Sequence, residues 1–512
     1  MTRSDEPFLL MSDRDNVAVA KRAIPKGASF YISGRRLKTA AAIPAGNRFA
    51  IADIKKGEEV RQYSFPFGVS KGIRAGALIT AAGISEPKPA YSKLLKDFAR
   101  NRAAHRKPVT ARPSRSCERF LGYRRKGGGA GTRNYYVLVP TSLCASDVAH
   151  RAAEALDRKR IKGIDGVVAA AHTEGCGSSD GVIIDRMLLT LKNTILNPNV
   201  CGALVIDLGC EKISSAAFLK YLAGETNAKP VDRLSIQACG GTRRAVEAAE
   251  KLVLQRLRAC TAQRESMPVS KLVIGTECGA SDTFSGITAN PLIGKVVDEL
   301  ILAGGSAILS ETPEMLGAEE MLVGRMASAG VARKFIAGIQ GYKHLAQRLN
   351  VSMSGNFVPG NERGGLINPT LKSLGAVLKG GTGEIVDFLD YSERISRKGL
   401  SLMNGPGNDL ESVTGVSASG ANIFLFSTGG GATEGALTAP VIKIASNSGL
   451  FKRLDEDMDF NAGELLDGTV SFGELSSRLF KYMLAVASGK KTWAERWKKR
   501  PFQIWTAGKL SL

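Results

Sequence analysis

From Gly131 onward, short apolar runs alternate with amphipathic segments: YYVLVP, SDVAHRAAEALDRKR, GVVAAAH, GVIIDRMLLTLKN and CGALVIDLGC follow one another. Runs so short and apolar suit strands buried on both faces, and the segments between them suit covering helices. The pattern predicts an α/β fold with largely parallel sheets. A second series starts at KLVIGTECGASD, passes through GSAILSETPE and returns at NIFLFSTGGGATEG, which puts a domain boundary near residue 265. Ligands of such sheets bind at the carboxyl ends of strands. Chemistry is therefore sought in TSLCAS, HTEGCGSSDG, GCEK, CGGTRR, ECGASD and SETPE.

Ahead of these series, residues 13 to about 85 read as short strands punctuated by IPKG, IPAG, IKKG and IRAG, the marks of a small all-β module. From Glu86 the composition turns to Pro, Lys, Arg and Ala, with PKP, KPV and RPS breaking any helix. The expected organisation is a β-rich domain over 1–85, a basic linker over 86–116, a second α/β domain over 117–264 and a C-terminal α/β domain over 265–512.

The formal charge is +22, and the segment from Glu86 to Lys126 holds thirteen basic and three acidic residues. Another six basic residues against one acidic lie in Lys490–Arg500. An excess confined to a linker and a tail reads as a solvated or weakly RNA-associating feature, and no nucleic-acid recognition motif accompanies it. No apolar run approaches the roughly 20 residues that span a bilayer, and the N-terminus lacks a secretory pattern, so a cytoplasmic location is expected. The eight cysteines contain no CxxC pair. A zinc ribbon is not expected, although thiolates on separate loops could converge on a metal. The glycine runs at Gly127–Gly129, Gly380–Gly381 and Gly429–Gly431 form neither GxGxxG nor a Walker loop, so no nucleotide is expected.

The motifs GYRRKGGGAGTRNY, HTEGCG, LGCE, GGTRR, ECGASDTFSGITANP, ILSETPE, PGNERGGL and KSLGAVLKGGTG occur in the order seen in the altronate and galactarate dehydratase family. The chain resembles that family over about residues 13–85 and 120–450, with an N-terminal module similar to the SAF domain. The resemblance implies a hydro-lyase that removes water from a sugar acid. D-altronate is the first expectation, giving 2-dehydro-3-deoxy-D-gluconate, and galactarate the second. It also implies a divalent metal, Fe2+ first and Mn2+ as the alternative, a small anionic sugar acid as partner, and a homodimer as one possible assembly. Sulfolactate sulfo-lyases resemble the same catalytic region, and a catalytically silent binding protein is a further alternative.

Dehydration of a 2,3-dihydroxy acid requires loss of the C2 proton, stabilisation of an enediolate and protonation of the departing C3 hydroxyl. His172, Glu174, Asp282 and Glu311 are the expected catalytic groups, and Cys176, Cys278 and His172 the expected metal ligands. Arg133, Asn134, Thr173, Arg243, Ser281 and Ser285 are expected to bind substrate, the arginines by gripping its carboxylate. Glu211 and Glu314 are further carboxylates at strand ends, and Lys372 and Lys379 read as a solvated helix face. Relative to the family, Asn47, Leu78, Thr80 and Ala82 stand where histidines or other ligands are usual, and Gly430 where arginine is common.

Overall fold

A computed structural model describes residues 6–506 apart from 33, 88–89, 99–114, 226–228 and 261. Most of the expected basic linker, residues 99–114, lies outside the described residues. Ahead of it, the short helix Tyr91–Lys96 is fastened by the Tyr91 hydroxyl, which donates to Glu319 Oε1 at 3.0 Å.

The N-terminal module is built of short antiparallel strands. The four Ile-containing turns pair with one another, Ile24 with Ile43 and Ile54 with Ile73, through reciprocal backbone bonds of 2.8–2.9 Å. Each turn closes on its glycine: Ala28 N donates to Pro25 O with Gly27 at φ +83°, a backbone conformation that side chains resist.

The second domain holds a four-stranded parallel sheet in the order Gly166–Ala169, Tyr135–Pro140, Val200–Asp207, Val231–Ser235. The C-terminal domain holds a seven-stranded one, in the order Ile385–Leu389, Gly399–Met403, Ser306–Leu309, Val273–Gly279, Ile423–Thr428, Val441–Ala445, Phe460–Asn461. All its pairs are parallel. The inner strands Val273–Gly279 and Ile423–Thr428 are buried along their full length, as strands covered on both faces are. Leu292, Val296 and Leu300 of the helix Ala289–Leu302 and Leu475, Leu479 and Met483 of the helix Phe472–Ala487 join one core beside this sheet. Each side chain buried this fully contributes about 1.5–3 kcal/mol. Glu265–Pro268, at the expected domain boundary, pairs antiparallel with Arg119–Arg124.

The basic C-terminal tail is fastened to the second domain by ion pairs while its lysines Lys490, Lys491 and Lys498 stay exposed. Lys491 pairs with Asp165 at 2.9 Å, and Lys498 and Arg500 both pair with Asp157, at 2.6 and 3.2 Å, so the tail's charges bind the second domain. Beyond it Ile504 enters that domain's core. At the centre of this seam lies Arg133, with no solvent exposure. Its Nε and Nη2 donate to the two oxygens of Glu495 at 2.6 and 2.7 Å. The remaining N–H groups donate to Thr132 O, Val486 O and Lys490 O at 2.7–2.9 Å. Every donor of the guanidinium is thus engaged inside the protein. Asn134 is equally occupied, donating to Gly163 O and Cys260 O and accepting from Arg125 Nη2. The expectation that these two residues bind substrate is therefore corrected: both precede the strand Tyr135–Pro140, at the amino edge of the sheet, and serve as a structural lock.

Among the described residues, no helix is long and apolar enough to cross a membrane. Arg133→Met leaves Glu495 buried without its partner and is expected to cost about 3–5 kcal/mol, read as a lowered midpoint in urea. A shift under 1 kcal/mol would show that the pair does not lock the two domains.

Candidate active site

The strand Val273–Gly279 lies at a topological switch point. Its own crossover, through the helix Ala289–Leu302, goes to Ser306–Leu309 on one side, and the helix Asp409–Ala418 leads to Ile423–Thr428 on the other. Open α/β sheets bind ligands in the crevice such a reversal leaves. Here that crevice is a cavity of about 620 Å³. Its polar wall includes Cys278, Ser281, Glu314, Lys372 and Asp409, and Tyr342 and Trp505 form an apolar side.

Behind this wall sits Lys379, 0 % exposed. Its Nζ donates to Cys278 Sγ at 2.6 Å and to Glu311 Oε2 at 2.9 Å, and stands 3.7 Å from Glu314 Oε2. The Cys278 thiol donates to Glu314 Oε2 at 2.8 Å, and Lys372 Nζ pairs with Glu314 Oε1 at 3.1 Å. The sequence reading had both lysines on a solvated face. They are buried because Pro369–Ala376 and the 3₁₀ turn after it pack over the strand ends, turning that face toward the acids. Burial, reinforced by the charge of Glu314, pushes the Glu311 carboxyl up to about 8 although Lys379 opposes it. For Glu314 burial also acts upward, but Lys372 and Lys379 outweigh it and the carboxyl stays ionised. Burial raises the Cys278 thiol, with Glu311 and Glu314 adding to the effect. Glu311 has φ +72°, outside the usual range for a side-chain-bearing residue, and its Oε1 is buried with no hydrogen-bond partner. Strain and an unpaired oxygen at one carboxylate are a mark of function.

Cys278 Sγ and one oxygen each of Glu311 and Glu314 lie within 4.8 Å of one another, the one such three-donor group among the described residues. A thiolate with two carboxylates suits a divalent transition metal. Together with Lys379, such an ion would balance the three negative charges.

Two groups absent from the sequence reading complete the cavity's electrostatics. Asp409, the first residue of its helix, is raised to about 6 by burial and then by the charge of Glu434. It rests against Gly279, where a Cβ would come within 2.4 Å of its Oδ2. Lys443, on the neighbouring strand and without solvent exposure, is lowered to about 7 by burial; its Nζ is 3.9 Å from Glu434 Oε2 and has no hydrogen bond. NGPGND carries no motif that marks Asp409, and Lys443 lies within an apolar run, so only the fold reveals either.

Of the other predicted residues, Ser281 reaches the cavity, its buried hydroxyl lacking a hydrogen-bond partner. Asp282 instead caps its own turn: its Oδ1 accepts from Ser285 N and Oγ, both at 2.7 Å, and its Oδ2 from Ser446 Oγ. Ser285 is thereby occupied as well. Gly429 fits only because it lacks a side chain, since a Cβ there would lie 2.2 Å from Asp282 Cγ. His172, Thr173, Glu174 and Cys176 lie on the second domain's sheet and do not line the cavity. The His172 ring meets Pro140 O through Nε2 at 2.9 Å and accepts from Glu174 N through Nδ1 at 3.1 Å; Glu174 accepts from Ser178 Oγ at 2.8 Å. The expected metal set of His172, Cys176 and Cys278 is thus divided between two sheets. Arg243 is exposed and pairs with Glu247 one helical turn on, rather than facing the cavity.

The N-terminal module reaches this region through Arg48. From a fully buried position its Nη1 donates to Thr283 Oγ1 and Gly365 O at 2.6 Å, and its Nε to Gln62 at 2.9 Å. Tyr63 OH donates to Gly286 O at 3.0 Å. The module therefore braces the loop after Val273–Gly279.

Lys379→Met leaves Glu311 and Glu314 buried with Lys372 as their remaining close cation, and should cost about 3–5 kcal/mol. Chemical denaturation measures it; an unchanged midpoint would mean that the acids are neutral without the lysine.

Comparison with known proteins agrees with the resemblance carried by the motifs. Three domain models match in chain order: the altronate/galactarate dehydratase SAF domain over residues 6–86, the D-galactarate dehydratase/altronate hydrolase second domain over 122–261, and the D-galactarate/altronate dehydratase C-terminal domain over 269–510. The chain is 34% identical over 490 residues to the altronate dehydratase of Bacillus subtilis (strain 168), covering 94% of this chain and 95% of that one. It is 31% identical to the altronate dehydratase of Escherichia coli (strain K12), covering 96% and 98%, respectively. To the galactarate dehydratase (L-threo-forming) of the same organism it is 30% identical, covering 96% and 94%. With all three domains matched in order and relatives aligned over nearly their whole length, the chain belongs to the altronate/galactarate dehydratase family of hydro-lyases.

Proposed function

We propose that this protein dehydrates a small sugar acid, D-altronate in the first place and galactarate next, in the cavity at the end of Val273–Gly279. The observation that carries this reading is a cavity wall pairing a carboxylate of near-neutral pKa, Asp409, with a buried cation, Lys372. Two of the relatives aligned over nearly their full length are named for altronate.

Lys372, held at the cavity wall by Glu314 and Asn356, offers its positive charge to the substrate carboxylate, while the open hydroxyl of Ser281 takes a substrate hydroxyl. Asp409 accepts the C2 proton; its raised pKa makes it a stronger base than an ordinary aspartate yet leaves it ionised at neutral pH. As the C2–C3 double bond forms and the C3–O bond breaks, protonated Asp409 returns the proton to the departing oxygen, and water leaves. The enol product then rearranges to the 2-keto-3-deoxy acid.

A divalent metal, Fe2+ first, is assigned to Cys278, Glu311 and Glu314, on the strength of their grouping and the unpartnered Glu311 oxygen. Such an ion supplies Lewis-acid stabilisation of negative charge on substrate oxygens.

Purified protein given Fe2+ without oxygen and a panel of aldonates and aldarates should form 2-keto-3-deoxy acids; no product from any of them would reject the proposal, and sulfite from sulfolactate would move it to the sulfo-lyase branch. Asp409→Asn should lower kcat by about 10²–10⁴-fold. In the wild type kcat/KM should fall about tenfold per pH unit below about 6, because acid protonates the base. A profile flat through that range would exclude Asp409. Chelation should abolish turnover, and Cys278→Ala should reduce the bound metal; equal metal content in both proteins would refute the ligand assignment.

A further inference from the structure

The second domain repeats the architecture of the first site and carries a separate group of side chains at its own switch point. Each strand of its sheet leads into a connection that carries a cysteine: Cys144 in the first turn of the helix Leu143–Arg158 after Tyr135–Pro140, Cys176 after Gly166–Ala169, Cys210 after Val200–Asp207 and Cys239 after Val231–Ser235. Spatial order and chain order diverge at Tyr135–Pro140, whose neighbours are the strands leading to Cys176 and Cys210. The crevice of this sheet is therefore bounded by three of the four cysteine loops.

These three loops are fastened to one another. Leu143 N donates to Glu174 O at 2.6 Å, joining the Cys144 and Cys176 loops. Thr141 Oγ1 and Ser142 Oγ donate to Glu211 Oε1 at 2.9 and 3.1 Å, joining the Cys144 and Cys210 loops. Lys212 Nζ donates to Ser178 O at 3.0 Å and closes the triangle. Glu211 also accepts from the backbone N–H groups of Leu208, Gly209 and Cys210, so its loop is pinned from within. The thiols of Cys144, Cys176 and Cys210 are all exposed. Cys239 differs: it packs against the domain's hydrophobic core.

Three exposed thiols on mutually braced loops at a sheet's ligand-binding edge form a soft-metal site. Their sulfurs do not all lie within 4.8 Å of one another, a spacing met among the described residues only by Cys278, Glu311 and Glu314. An ion held by all three thiolates would gather them within that span, whereas an iron–sulfur cluster presents a separate iron to each thiolate. We propose that Cys144, Cys176 and Cys210 hold an iron–sulfur cluster whose remaining corner is open to water or a small oxygen ligand. This centre is separate from the C-terminal cavity and does not depend on how that cavity is read.

The test is anaerobic reconstitution of the full-length protein with ferrous iron and sulfide, followed by iron and acid-labile sulfide analysis and visible absorption. The wild type should gain sulfide-to-iron charge-transfer absorption with matching iron and sulfide. Cys144→Ser, Cys176→Ser and Cys210→Ser should each lose it with unchanged thermal midpoints before reconstitution, since the thiols are exposed. Cys239→Ser and Cys278→Ser should retain it, the second separating this centre from the catalytic cavity. Iron bound without labile sulfide, absorption that survives in the triple variant, or no iron–sulfide uptake by folded wild type would each overturn the proposal.

Discussion

A parallel sheet can be extended only by crossovers that carry the chain back over its face, so the loops that follow its strands all emerge at one edge. Both α/β domains are subject to this constraint, and it concentrates their polar residues. In the C-terminal domain, the end of the strand Val273–Gly279 and the connections after Ser306–Leu309 and Gly399–Met403 bring Cys278, Glu311 and Asp409 to one edge of the sheet. In the second domain, the same geometry gathers three cysteine loops.

Gathering anions in a dry place is costly unless cations accompany them. Lys379 and Lys372 meet that need, and their unequal distribution separates the carboxyls by pKa. Glu314, touched by both lysines, remains charged, whereas Glu311, with one, is raised to about 8. Asp409 is raised to about 6 by its burial and by Glu434, with Lys443 opposing. A set of acids spread over several pKa units suits an elimination that must both accept and deliver a proton near neutral pH.

The domains share apolar core, with Leu437 and Ile504 packed into the second domain and Val60 and Phe67 of the N-terminal module joining the C-terminal core, and polar contacts fix the register of these seams. Arg133–Glu495 and the tail's ion pairs hold the second domain to the C-terminal one, assisted by Asn197 and Asn199, which donate to Ser417 O, Ala421 O, Asn422 O and Thr438 O. Such contacts have strict geometry, so they fix the relative position of the two sheets. Arg48 extends the principle to the N-terminal module, which braces the loop after Val273–Gly279.

Periodicity, apolar runs and turn glycines were sufficient to place the β-rich module, the two α/β series and the loops where chemistry resides, because each depends on interactions among residues close along the chain. Cys278, Glu311 and Ser281 stand out for the same reason: they lie at or just beyond the carboxyl ends of strands. Arg133 and Asn134 could have been set aside on that logic, since they precede one. Other features had no local signature. Lys372 and Lys379 resemble a solvated helix face until the segment carrying them is laid over buried acids, and nothing local marks that the exposed basic tail pairs with Asp157 and Asp165. Asp409 and Lys443 become unusual only in the folded chain, since the pKa of a group is set by burial and by charges far away in sequence. The chain's local pattern thus determined which elements form and where their reactive loops lie, while tertiary packing decided which charges meet, because electrostatic energy depends on distance and burial in space.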